Sequence, residues 1–169
     1  MIELERAARH CLKCGTILVP RETGGRAREA CPVEGCGFVL SENPTPVVAA
    51  IVQRGDDVIL VRAKDFPEKW FGLVTGFLEL GERPEDGIVR EVKEELGLDS
   101  TPPSLVGVFP FFPMKQIIIA YHLSVVGDVT LGDELVAYKA IPIQKVRAWP
   151  FGTGEALTAW LASVRGPGA

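Results

Sequence analysis

The chain has no cysteine outside one short segment, no long apolar run, no internal repeat and no excess of basic charge. Each absence removes a class. No stretch approaches the roughly 20 apolar residues that span a bilayer, so no membrane partner is expected. The longest apolar candidate, Ile117-Ile118-Ile119-Ala120-Tyr121, is strand-sized and β-branched. A net charge of −4 lacks the basic field of a general nucleic-acid binder. Without a repeat or a low-complexity tract the chain is neither a solenoid nor a disordered linker. The charged start, Met1 to Arg6, does not read as a signal peptide. A cytoplasmic setting with reduced thiols is therefore expected. What remains is 169 residues, 47% of them hydrophobic, which suits one ordinary domain and a small module.

All four cysteines lie in the small module. Two residues separate Cys11 from Cys14, and four separate Cys31 from Cys36, with Gly15 and Gly37 just after each pair. Two close pairs with trailing glycines read as the knuckles of a four-cysteine zinc ribbon. The other reading is two disulfides, which a reducing compartment disfavours. His10 is a further ligand in principle, but four cysteines already complete a tetrahedral set. A closed set leaves no open position, so this zinc is expected to be structural.

A second pattern lies mid-chain. Pro84 suits a first helical position, Glu85 and Asp86 favour the first turn, and Gly97 suits a helix stop. Between them Val89, Val92 and Leu96 recur as an apolar stripe. Glu91, Glu94 and Glu95 fall on another face. Three carboxylates so close repel one another unless a cation sits among them, and hard oxygen ligands suit Mg²⁺ or Mn²⁺. The plain alternative is a solvated helix face, with Lys93 as a surface partner. Gly76, separated from Glu82 by five residues, and Arg90, separated from Glu82 by seven, weigh against that alternative.

Together Gly76, Glu82 and the run Arg90-Glu91-Val92-Lys93-Glu94-Glu95-Leu96-Gly97-Leu98 resemble the Nudix box. The resemblance covers roughly Val47 to Val164 and implies an α/β fold, an α/β/α sandwich around a mixed sheet. It implies a divalent-metal hydrolase of phosphoanhydrides. Glu91, Glu94 and Glu95, with the Gly76 carbonyl, would hold Mg²⁺ or Mn²⁺, and Arg90 would pair with Glu82 to hold the glycine loop against the helix. A ribbon ahead of the box is similar to the NADH pyrophosphatases and the related ADP-ribose and FAD pyrophosphatases. That group implies a homodimer acting on a small dinucleotide or nucleoside diphosphate derivative, and the net charge argues against nucleic acid as the partner. The NADH pyrophosphatases carry Ser-Gln-Pro-Trp-Pro-Phe-Pro after the box. Here the stretch is Val106-Gly-Val-Phe-Pro-Phe-Phe-Pro113, which keeps aromatics and prolines only. ADP-ribose or FAD is therefore ranked slightly above NADH. Phe109, Phe111 and Phe112 are candidate rings for stacking a base or flavin; the alternative for each is packing at a sheet edge.

The remaining organisation is simple. Residues 1–42 form the ribbon and 43–169 the hydrolase domain. Strands are expected over Val47 to Gln53, Val58 to Arg62, Val106 to Phe109, Gln116 to Val126 and Leu135 to Ile141, with another between Phe71 and Leu80 leading into the glycine loop. Thr153 would cap a last helix with a stripe of Leu157, Trp160, Leu161 and Val164, and 166–169 would fray. Glu134, with Asp133 as rival, stands where such enzymes place a further acid. Either is otherwise a solvated turn residue. A dinucleotide-cap hydrolase of RNA and a non-catalytic Nudix-fold regulator remain the other readings.

Overall fold

A computed structural model describes residues 8–166; the charged start and the last three residues of the expected fraying tail lie outside the described residues. The chain divides into two compact units, Met1–Asn43 and Pro44–Ala169.

In the first unit the sequence reading missed a hairpin. β1 (Val19–Thr23) pairs antiparallel with β2 (Arg26–Ala30). The turn is Gly24-Gly25, with φ of 61° and 72°. A two-residue turn of this kind requires positive φ at both positions, which glycine adopts without strain. Cys11, Leu18 and Cys31 are buried, with Cys36, Phe38 and Leu40 packed against them.

The second unit is a six-stranded mixed sheet between two helices. Its strands are β3 (Thr45–Arg54), β4 (Asp57–Ala63), β5 (Val74–Phe77), β6 (Ser104–Phe111), β7 (Gln116–Ser124) and β8 (Leu135–Pro142). The order is β6-β7-β3-β4-β8, with β5 also pairing β3. The β3–β7 pair is parallel, and the other pairs are antiparallel. β3 is central, and Val47 to Val52 are buried on both faces, as its continuous apolar run requires. Val48, Ala50 and Val52 meet helix α1 (Pro84–Leu96), whereas Ile51 meets helix α2 (Gly154–Arg165). Period-two alternation thus divides the core into two layers. Among the described residues no helix is long and apolar enough to cross a membrane.

Several sequence expectations shift. The strand before the glycine loop is short, Val74–Phe77. Helix α1 has Pro84 in its first turn and ends at Gly97 with φ 70°, whose N–H bonds the Lys93 carbonyl at 2.9 Å. Its buried stripe is Ile88, Val92 and Leu96, and Val89 is 37% exposed. Steps of four fit the helix as well as a three-then-four step, so tertiary packing chose the phase. Val164 is likewise exposed on α2, and Thr153 makes no side-chain capping bond there.

Candidate active site

Helix α1 turns its polar face to a short loop, and Arg90 joins them. Its Nε and Nη2 donate to the two Glu82 carboxylate oxygens at 2.9 and 3.1 Å, a bidentate pair. Nη1 donates to Glu91 at 2.7 Å and to Glu94 at 2.9 Å, and Nη2 also reaches the Phe77 carbonyl at 3.3 Å. Glu82 in turn accepts from the Glu79 N–H at 3.1 Å. The Arg90 hydrogen bonds hold the Glu82 carboxyl below its ordinary range, and the Glu82 bond raises Arg90.

Beyond Arg90 the acids converge. A cavity of about 120 Å³ is lined by Glu91, Glu94, Glu95, Gly132, Asp133 and Glu134. Glu95 is the most strongly affected of them. Burial, and then Glu91, Glu134 and Glu94, push its carboxyl up to about 8. Its Oε2 is buried with no hydrogen-bond partner. A buried polar atom without a partner is costly. Burial also raises Glu91, against the pull of Arg90. A dense set of oxygen donors with an orphaned carboxylate oxygen fits a hard divalent cation.

Two glycines set this spacing. A Cβ on Gly76 would lie 1.9 Å from the Glu91 carboxyl carbon, so the carboxylate occupies the space a side chain would need. A Cβ on Gly132 would lie 2.3 Å from the Glu94 carbonyl oxygen. Around Gly132 the opposite wall is tied to the end of α1. The Thr130 N–H bonds the Leu96 carbonyl and the Gly132 N–H bonds the Glu95 carbonyl, each at 2.9 Å. The Lys64 N–H holds the Glu134 carbonyl at 3.0 Å. Gly132 was missed in the sequence because its constraint is a contact with a distant helix, which leaves no local pattern.

The aromatic candidates lie elsewhere. Phe109 and Phe111 pack with Val106 against Ala49, Ile118, Ala120 and Ala156, on the α2 side of the sheet. Phe112 begins a 3₁₀ turn and is 81% exposed. None of the three lines the carboxylate cavity. On the α2 face a different ring, Phe71, lies under Lys139 Nζ at 3.9 Å, with Arg62 at 6.0 Å.

In the first unit the four cysteines meet. One sulfur from each of Cys11, Cys14, Cys31 and Cys36 lies within 4.8 Å of all the others. Cys11 and Cys36 are 3.6 Å apart, Cys14 and Cys31 3.5 Å, and Cys14 and Cys36 3.8 Å. Metal–sulfur arms of about 2.3 Å in a tetrahedron place sulfurs about 3.8 Å apart, so the set fits such an ion. All four are free thiols. The Lys13 N–H donates to Cys11 Sγ at 3.4 Å, supporting the first knuckle. His10 bridges Ile17 and is not one of the clustered residues.

Comparison with known proteins agrees with this arrangement. The NUDIX domain family matches residues 43–160. The NAD-capped RNA hydrolase NudC of Stutzerimonas stutzeri is 30% identical over 121 residues, 70% of this chain and 42% of that protein. The ADP-ribose pyrophosphatase of Methanocaldococcus jannaschii is 36% identical over 103 residues, 57% of this chain and 61% of that protein. The chain thus spans less than two thirds of the length of these relatives. A NUDIX hydrolase structure from Nitrosomonas europaea superposes with a TM-score of 0.76 at 21% identity, covering 93% of this chain and 92% of that one. With the family matched across the whole sheet, α1 and the first half of α2, and the carboxylates gathered on α1, this chain belongs to the Nudix family.

Proposed function

We propose that the chain hydrolyses the pyrophosphate bond of a nucleoside diphosphate linked to a second moiety, such as ADP-ribose, FAD or an NAD(H)-like dinucleotide. The observation that carries this is the Glu95 carboxylate, buried without a partner in a cavity shared with Glu91, Glu94 and Glu134. Glu91, Glu95 and Glu94, with the Gly76 carbonyl, would hold Mg²⁺ or Mn²⁺. The chemistry such a cation supplies when bound is neutralisation of charge on the diphosphate and acidification of water.

The chain's own groups do the rest. Arg90 and Glu82 fix the glycine loop to the helix and orient Glu91. Glu134, on the facing wall, takes the proton of the attacking water, with Asp133 and the box glutamates as rivals. Water adds across the P–O–P bridge and two phosphomonoesters leave. Of the three candidate rings, Phe112 is the exposed one and so the one free to stack on a substrate. Cys11, Cys14, Cys31 and Cys36 hold a structural zinc. Reduced thiols fit a cytoplasmic setting, and resemblance to the ribbon-bearing group supports a homodimer.

The relatives support the substrate class by their names, an ADP-ribose pyrophosphatase and a hydrolase of NAD-capped RNA. The second name favours a second reading, in which the substrate is a dinucleotide cap on RNA. The test is a panel of ADP-ribose, FAD, NADH, NAD, dGTP and NAD-capped RNA under one metal condition, with products identified by mass. Glu95→Gln and Glu91→Gln should each remove most turnover and keep the fold. Near-native rates in both variants, or dGTP preferred by tenfold (about 1.4 kcal/mol), would overturn the proposal.

A further inference from the structure

The β1–β2 hairpin assembles a charge that composition hides. Its register sets Arg21 directly opposite Arg28, and Thr23 opposite Arg26. Side chains alternate along a strand, so residues 21 and 23 share a face with residues 26 and 28. Three arginines therefore share one face of a five-residue ribbon, Arg21 and Arg26 exposed and Arg28 half-buried. Cross-strand Cβ atoms lie about 5 Å apart, and like charges directly opposite destabilise a pair. Among the described residues no acid pairs with these arginines. Arg9 is engaged by Glu29 and Glu42, and Lys13 donates to the Cys36 carbonyl. Among the described residues Arg21, Arg26 and Arg28 make no ion pair or side-chain hydrogen bond. Glu22 opposes Ala27, and Glu29 opposes Pro20, on the other face.

We propose that this arginine face binds the phosphodiester backbone of single-stranded RNA. Guanidinium groups bond phosphate oxygens bidentately, so three on one face meet a polyanion better than scattered cations do. The tip of the hairpin is Thr23, Gly24, Gly25 and Arg26. It carries no large apolar side chain to enter a bilayer, which favours a soluble polyanion over a lipid surface. A ribbon holding RNA raises the local concentration of its 5′ end for the hydrolase domain on the same chain. That consequence rests on the proposed hydrolysis. The binding itself does not.

The experiment uses the full chain, loaded with zinc, and a fluorescent RNA of mixed sequence. Anisotropy is read across a salt series for the native protein and for the triple variants Arg21→Ser/Arg26→Ser/Arg28→Ser and Arg21→Lys/Arg26→Lys/Arg28→Lys. Three lost phosphate contacts flatten the slope of log K against log salt by about 2. The serine variant should show that loss, and the lysine variant should recover most of the slope. Zinc content and ADP-ribose turnover should stay native in both, which separates this result from a failed fold or a failed hydrolase reading. Equal RNA affinity and slope in native and serine proteins would overturn the proposal. So would absence of salt-dependent binding in the native protein, or tighter arginine-dependent binding to phosphatidylserine vesicles than to RNA.

Discussion

Replacing Gly76 by alanine should silence the site without loosening the fold. The added Cβ would sit 1.9 Å from the carbon and one oxygen of the Glu91 carboxyl. Ordinary carbon contact begins near 3.5 Å, so the carboxylate must retreat by about 1.5 Å. A misplacement of about 1 Å at a reacting centre can cost a hundredfold in rate. We expect kcat/KM to fall by at least about a hundredfold, roughly 2.7 kcal/mol. Stability should behave differently. Gly76 is not among the residues of positive φ, and the group that must move is the end of a side chain. Glycine to alanine in a compatible strand position stabilises by about 0.4–1 kcal/mol through the unfolded chain. The melting temperature should therefore hold or rise slightly. Kinetics with ADP-ribose at saturating Mn²⁺, calorimetric Mn²⁺ affinity and thermal melts read the three quantities. Glu91→Asp in the alanine background shortens the side chain by about one bond length, 1.5 Å, and should restore part of the rate. Native-like turnover in Gly76→Ala would refute the reasoning, because it would mean that the position of Glu91 does not matter.

Gly132→Ala should do the opposite in stability. Its Cβ meets a backbone oxygen at 2.3 Å, so the wall must leave the helix end, and both melting temperature and Mn²⁺ affinity should drop; unchanged melting would count against this close contact of Gly132 with the end of α1. Cys14→Ser should release the one zinc ion per chain expected from elemental analysis and unfold the ribbon, with the hydrolase core melting nearly as before. Zinc-free native protein with four titratable thiols would defeat this. In metal-free protein, stability should decline as pH rises from about 4.3, the unfolded value, to the folded value of Glu95 near 8. The folded state binds the extra proton in that window, so its stabilisation is complete below the window and lost above it. Melts in chelator that stay flat or rise across the window, or a trend as steep in Glu95→Gln as in the native protein, would contradict the assignment.

What was readable in the sequence was whatever is written locally. Pro84, Glu85, Asp86 and Gly97 mark the ends of α1 by backbone and dipole physics alone, and the structure places the helix at Pro84–Leu96. The phase of its stripe was not local, because Ile88 and Val89 are adjacent and both apolar. Only the sheet beneath selects Ile88. The β1–β2 hairpin was local and still went unread, although Gly24-Gly25 between two short runs is a turn signal. At the site the carboxylates on α1 share one helix and could be grouped from spacing. The facing wall could not, since Gly132 and Glu134 reach Glu95 across the fold. The phenylalanines show the same limit: alternation turns Phe109 and Phe111 to the α2 face, and no single-strand pattern says which face holds the acids.

The parallel pairing of β3 with β7 has a consequence for the nascent chain. β3 carries an uninterrupted run of buried residues from Val47 to Val52, and its parallel partner is made about seventy residues later. During synthesis β4 and β5 can pair with the other edge of β3, but the β7 side stays open. A β-rich, uncharged segment with an open edge is an aggregation hazard. Folding that waits for distant strands is slow. The same strand that anchors the finished core is therefore the segment most exposed to misassembly before the chain is complete, and ribosome-stalled chains ending before Gln116 should be markedly less soluble than those extended past Ser124.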